Sequence, residues 1–561
     1  MNVHSITQLV IPVLFLLSCS GDKTEGKIKK ELQSIDLARG EITLCGAGQD
    51  EFGSTSFNTS CLEKVKPDFD LAIALLHSFE YTEAEKVFAK VIDQDPSCVM
   101  AYWGAAMSNF HQLWMPPSPA ELEKGSKLIT LARSLVEDKS SRESDYVEAI
   151  ATIYDDWKTL DHRSRLLKYE KFSEKVYEKY PGDDEAALFY SLALTAAADP
   201  ADKFFKNQRK AGNILNAIFK NKPDHPGAAH YIIHAYDYPE LAQLGLDAAR
   251  KYASIAAASA HAQHMPSHIF TRLGFWDESI QSDLRSVEAA KCYAEGSLMK
   301  GHWDEELHGL DYLTYAYLQK ADDARAKELV DYLATITEVF PINFKVAYCF
   351  AAMPARYALE RKDWTSAAEL KLMPSNFPWD KFLWEKANLH FARCLANIQM
   401  NNIKNAKAEL RELEAIHSNL SKANDTYKAN LVMIQIKACK GWTFLTEGDR
   451  KKALQLMTEA ADMEDATAKH PVTPGEIVPA RELLGDMYIK IGNYKNAALA
   501  YEDNLKKHPN RFNSLYGAAW SFEKSGDNEK TKQYYEQLVS STHGNERPEL
   551  VTAKNFLGGK K

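Results

Sequence analysis

Glycine and proline are scarce in this chain, with 26 and 21 in 561 residues. Turn-rich β-sandwiches need far more punctuation, so a mostly helical protein is expected. An excess of basic residues is also lacking: 68 Lys and Arg face 77 Asp and Glu, for a net charge of -9. That argues against a nucleic-acid-binding surface, which needs a basic footprint. G-x-x-x-x-G-K-[ST], G-x-G-x-x-G and G-x-S-x-G do not occur, so nucleotide binding and esterase chemistry have no support. There is no CxxC, and a cysteine zinc site is unsupported for the same reason. No apolar run reaches the ~20 residues that span a bilayer. What is present is an ordinary globular composition, 45% hydrophobic and 26% charged. The length exceeds the ~250–300 residues at which single cores stop growing, so the chain must split or repeat.

The one short apolar run is Ile6 to Leu17, ITQLVIPVLFLL, which matches the core of a signal peptide. It ends in Leu16-Leu17-Ser18-Cys19. This resembles the bacterial lipobox, although no Lys or Arg precedes the run. The resemblance implies cleavage before Cys19 and lipidation of its thiol. A lysine-rich polar tether, Ser20 to Gln33, would then hold a soluble body beside the membrane. The expected location is the bacterial cell envelope, lipid-anchored at the outer membrane. Such a compartment permits disulfides, and Cys45 and Cys61 flank a Gly/Ser/Asn-rich stretch, so a Cys45–Cys61 bridge is expected. Cys98, Cys292, Cys349, Cys394 and Cys439 sit singly in helical patterns and read as small core residues.

The body repeats. LLGDMYIKIGNYKNAALAYEDNLKKHP carries Leu484-Gly485, Tyr488, Gly492, Ala497, Tyr501 and Pro509; the following unit carries Ala518-Ala519, Phe522, Gly526, Thr531 and Tyr535. Ala497 and Thr531 are 34 residues apart, the tetratricopeptide period. Tyr81, Ala84, Phe88 and Pro96 give the second half of such a unit near the start. Weaker copies centre on Ala326, Ala367, Ala406 and Ala453. These features resemble the tetratricopeptide family. The resemblance implies an all-α, right-handed superhelical solenoid of antiparallel hairpins with a concave groove. The chain then reads as a signal peptide (1–18), a lipidated cysteine with tether and N-terminal segment (19–64), N-terminal repeats with a His-rich groove (65–345), C-terminal repeats (346–540) and a polar, fraying tail (541–561).

In that family the first helix of each hairpin lines the groove, and the groove-facing residues form one stripe. The Ser279 register gives His261, His264, His268 and Arg272; the Ala326 register gives His308, Asp311, Tyr315 and Gln319; the Ala367 register gives Arg356. Asp283 falls where a bulky residue is usual. The preceding hairpin holds His230 and His234. Residues four apart share a helix face, so His230/His234 and His264/His268 are two chelating pairs on adjacent helices. Convergence of both pairs on one site is expected, with His308 and Asp311 completing it or orienting its imidazoles. Imidazoles of this number suit Zn, Cu, Fe or Ni. Against this stands a plain alternative, in which histidines merely line a binding groove. His77 and His111 read as satisfied histidines at helix ends.

Three functions follow. The leading expectation is a membrane-anchored scaffold, not an enzyme, that binds an extended segment of a partner protein outside the cytoplasm. His261, Arg272, Tyr315 and Arg356 would line its groove, and both arginines would clamp a carboxylate. The alternative is a metal-binding protein or metalloenzyme. A third is an accessory lipoprotein for nutrient (glycan) uptake.

Overall fold

The computed structural model describes residues 30–45, 49–111, 113, 116–136, 140–468, 470–544 and 546–558. The signal peptide and Cys19 lie outside these residues. The body is an all-α solenoid of antiparallel hairpins, running from Lys66–His77 and Tyr81–Gln94 to Phe512–Ser525 and Asn528–Ser540. Among the described residues, extended structure is confined to one two-residue parallel pairing, His302 with Val339 and Trp303 with Phe340. No helix among them is long and apolar enough to cross a membrane.

A recurring turn builds the hairpins. A residue in the left-handed region ends the first helix, and an Asp or Asn side chain caps the second. Gly448, Gly492 and Gly526 take the left-handed position, followed by caps from Asp449, Asn493 and Asp527. Small residues then let helices close on aromatic rings. A Cβ at Gly485 or Gly517 would fall 2.7 or 2.3 Å from the Tyr501 ring.

The array coils until distant hairpins touch. His77, at the end of the first hairpin's first helix, packs on the Pro226–Tyr236 helix, where a Cβ at Gly227 would lie 2.5 Å from its ring. The C-terminal hairpins fold against the middle of the chain: Trp276 donates its indole N–H to the Asn510 carbonyl, and Phe512 donates its amide to Gln319.

Two expectations are corrected. Cys45 does not pair with Cys61. It bonds Cys292, with Cα atoms 5.8 Å apart, and Cys61 bonds Cys98, at 4.6 Å. The intervening segment does not loop back on itself, because Phe52 and Phe57 are buried against the helices and draw it along them. The Cys45–Cys292 link spans 247 positions, and a loop of that size constrains the unfolded chain by about 5 kcal/mol in the chain-entropy account. Cys349, Cys394 and Cys439 are buried free thiols, as expected. The tail also differs: Pro548–Leu557 is a helix whose Leu550 and Ala553 are fully buried, anchored by an Arg547–Asp323 ion pair. Its apolar residues recur every three to four positions, which outweighs its polar composition.

Candidate metal centre

Six histidines gather on the inner face as two triads, not at one point. The first is His230, His234 and His261; the second is His264, His268 and His308. All six are buried. In the first triad the His230 Nε2 lies 2.9 Å from the His234 Nε2 and 3.2 Å from the His261 Nε2. In the second, the Nε2 atoms of His264 and His268 are 3.0 Å apart, and the His308 ring centres 4.2 Å from that of His264.

The outer nitrogens decide the tautomers. A carbonyl oxygen can only accept, so the His230 Nδ1–H donates to the His77 carbonyl, at 2.6 Å. Asp283 faces the His264 Nδ1 at 2.6 Å, and Asp237 faces the His268 Nδ1 at 2.9 Å. As a carboxylate paired with Arg272, Asp237 accepts from the His268 Nδ1–H and turns the His268 Nε2 towards His264, while burial holds the Asp283 carboxyl well above its usual range. Burial disfavours a charged imidazole here. Burial pushes His264 down to about 3, and burial joined by neighbouring imidazoles holds His230, His234 and His308 well below the usual histidine range. Nitrogens about 3.3 Å apart are what a tetrahedral ion with ~2.0–2.1 Å bonds requires. An acid behind each of two imidazoles is also the usual support for a metal-bound histidine.

The surroundings are aromatic. Phe79 stacks on His234 and His261, with centroids at 5.4 and 5.5 Å, and tilts over His230 at 4.4 Å. Its φ is 59°, in the position that Gly448, Gly492 and Gly526 hold elsewhere. A bulky residue there carries backbone strain, and strain of this kind gathers at functional sites. Tyr252 stacks on His230 at 4.9 Å, and Tyr312 lies edge-on to His264 at 4.7 Å.

The expectation of one four-imidazole site is therefore corrected. The tie of His268 to Asp237 and of His264 to Asp283 turns that pair towards His308, and His261, read as a groove residue, crosses to the His230 pair. Asp311 is no part of the centre; it forms an ion pair with Arg356. The peptide-groove reading of Arg272, Tyr315 and Arg356 also changes, because the chain itself fills that stretch. Arg272 donates to Asp237 and to the Pro474 carbonyl, both at 3.0 Å. Arg356 donates to the Gly475 carbonyl at 2.8 Å, and Tyr315 accepts from Arg511 at 3.2 Å. All three side chains are buried.

Sequence reasoning missed Phe79, Asp237 and the acid role of Asp283, although an aspartate at a bulky position was a visible sign. It also missed what His77 does. His77 Nε2 lies 2.8 Å from Glu185, whose other oxygen lies 3.1 Å from His225 Nε2. Burial raises Glu185, but the two imidazoles overcome it and hold the carboxyl well below its usual range. This cluster fixes His77, whose carbonyl orients His230.

Residues 513–541 match the family model described as tetratricopeptide repeat. No curated protein sequence matches the chain. Among solved structures, human IFIT1 with m7Gppp-AAAA is 13% identical, with 91% of this chain and 99% of that one covered and a TM-score of 0.36. The P58(IPK) TPR domain is 15% identical over 67% of this chain and 98% of that one, with a TM-score of 0.20. Likeness at this level carries nothing about ligand or partner to the present chain.

Proposed function

We propose that this protein is a metal-binding protein whose repeat array holds a buried centre of two neighbouring three-histidine sites. The observation that carries this is the convergence of three imidazole nitrogens in each of two buried triads, within 4.8 Å of one another, with acids on the far sides of His264 and His268. His230, His234 and His261 are the ligands of one site; His264, His268 and His308 are those of the other. An ion held by three imidazoles keeps a position for a further ligand. Elemental analysis of untagged protein tests the reading. Bound transition metal that disappears in a His264→Asn/His268→Asn variant supports it; metal-free protein that takes up no Zn, Cu or Fe on reconstitution refutes it.

The tetratricopeptide match favours a second role, in assembly with a partner protein, since such repeats present extended binding surfaces. The partner would meet the outer face or ends of the array, because the inner stretch around Arg272 and Arg356 is occupied. Anchoring through a lipidated Cys19 outside the cytoplasm remains part of the proposal. It is supported by the Ser18-Cys19 signal and fits a chain with two disulfides. Cys19→Ser should release the protein from the membrane fraction; retention there would rule out the anchor.

A further inference from the structure

We infer that Glu305 is the carboxylate that positions His261, that its bond to this ring forms as the first site takes an ion, and that the second site therefore fills before the first. The inference rests on the metal-binding reading and adds a residue that neither triad includes.

The inner nitrogens do not separate the two sites. Nε2 atoms meet at 2.9 and 3.2 Å in the first triad and at 3.0 Å in the second. The outer nitrogens do separate them. In the second triad the supports are already in place: the His264 Nδ1 lies 2.6 Å from Asp283, and the His268 Nδ1 lies 2.9 Å from Asp237. The other oxygen of Asp237 accepts from the Arg272 Nε at 3.0 Å. Cation, carboxylate and imidazole thus form a chain that fixes the His268 ring.

The first triad has the same chain with one joint open. Here Lys345 is the cation and Glu305 the carboxylate: Oε1 accepts from the Lys345 ammonium at 2.5 Å. Lys345 is also held by Asp304, at 2.7 Å, and Asp304 by the Asn343 amide, at 2.6 Å. Glu305 lies three residues before His308 on the Asp304–Gln319 helix, so the helix that gives the second site a ligand gives the first its acid. The other oxygen of Glu305, Oε2, is buried and has no hydrogen-bond partner. It stands 3.9 Å from the His261 Nδ1, beyond hydrogen-bond reach.

The position of one hydrogen accounts for the gap. His230 carries its hydrogen on Nδ1, where it donates to the His77 carbonyl, so the His230 Nε2 can only accept. In the metal-free chain the His261 Nε2–H donates to it, at 3.2 Å. That leaves a lone pair on the His261 Nδ1, facing the lone pairs of Oε2. Acceptor meets acceptor, and the two stay apart. An ion bound at the His261 Nε2 displaces the hydrogen to Nδ1, since a metal-bound imidazole keeps its hydrogen on the other nitrogen. Nδ1–H is then the donor that Oε2 lacks, and a shift of about 1 Å closes the bond. Satisfying a buried acceptor is favourable, so the bond forms with the ion. The second site needs no such movement of its acids.

The test uses the full chain, solubilised in detergent, freed of metal with a chelator and titrated with zinc(II) against a chromogenic chelator. The parent should bind two zinc ions, one for each triad, in two unequal steps. Glu305→Gln keeps the size of the side chain and removes its charge. It should leave the tighter step unchanged and weaken the other about 10–100-fold. Nitrogen-15 labelling of histidine adds a readout that a packing role would not move: the second equivalent should bring out a further hydrogen-bonded Nδ1–H resonance, absent from the variant. Two equal steps in the parent overturn the order of filling. Equal weakening of both steps in the variant, or of neither, overturns the role of Glu305 and leaves the metal reading intact. If the variant misfolds, the parent decides, because a count of Nδ1–H resonances that does not rise with the second equivalent overturns the inference. A chain that binds no zinc also overturns it, and one that takes up no copper or iron either overturns the metal reading as well.

Discussion

The histidine-bearing and arginine-bearing stretches of the array are both buried, yet they are opposites in electrostatics. Around Arg511, unlike charges meet. Its guanidinium donates to both oxygens of Glu482, at 2.8 and 3.0 Å, and to Glu360 at 2.6 Å, and all three side chains are buried. Arg356 with Asp311 and Arg272 with Asp237 follow the same rule. Around His264, like meets like: imidazole nitrogen faces imidazole nitrogen. A buried region whose charges are matched from within holds the array together. One where three imidazole nitrogens converge is suited to take a cation from outside. Burial alone does not separate these roles; the sign and direction of the polar atoms do.

The contrast can be broken from either side. Arg511→Ala leaves Glu360 and Glu482 buried without their cation. It should cost about 3–5 kcal/mol in urea unfolding, with the C-terminal hairpins loosening first in hydrogen exchange. A stability within 1 kcal/mol of the parent would show that the arginine stretch is not a structural clasp. On the other side, metal at about a thousandfold excess over its dissociation constant should stabilise the chain by about 4 kcal/mol. His264→Asn/His268→Asn should remove most of that gain while leaving the metal-free protein close to its original melting point. Asp283→Asn keeps the shape but weakens the acid behind His264, and should lower metal affinity about 10–100-fold. An unchanged affinity by competition titration would reduce Asp283 to a packing role.

Acid provides a further probe. Burial lowers His508, beside Glu476, to about 4, against 6.5 when unfolded. Below the unfolded value the unfolded chain binds more protons, so stability is lost as pH falls from about 6.5 towards 4. Between pH 6.5 and 5 this site alone accounts for about 2 kcal/mol. His508→Asn should flatten the melting-point profile over that window. A profile identical to the parent's would show that the imidazole is not held neutral in the fold.

Much of this was legible in the chain. The small residues and aromatics at fixed spacing, Gly485, Ala497 and Tyr501 among them, specify hairpins because each packing demand is met within a hairpin or its neighbour. Four of the six triad histidines were visible as potential ligands for the same reason, since His-x3-His is a local relation on one helix face, and His308 was visible from its place on the groove stripe. The pairing of triads was not legible. His261 joins His230 and His234 across 31 and 27 residues, and His77 reaches His230 across 153. The disulfide partners were hidden likewise, since Cys45 and Cys292 meet only when the array has coiled.

The sequence by itself determined a helical repeat array and a concentration of imidazoles on its inner face, because both follow from periodicities of a few residues. The tertiary structure alone decided that these imidazoles form two triads and that the neighbouring groove is filled by Thr473, Pro474 and Gly475. It also decided that Phe79 lies across the first triad. The physical reason is reach: superhelical coiling brings together hairpins remote in sequence, and small rotations per repeat, summed over the array, are not written at any one position.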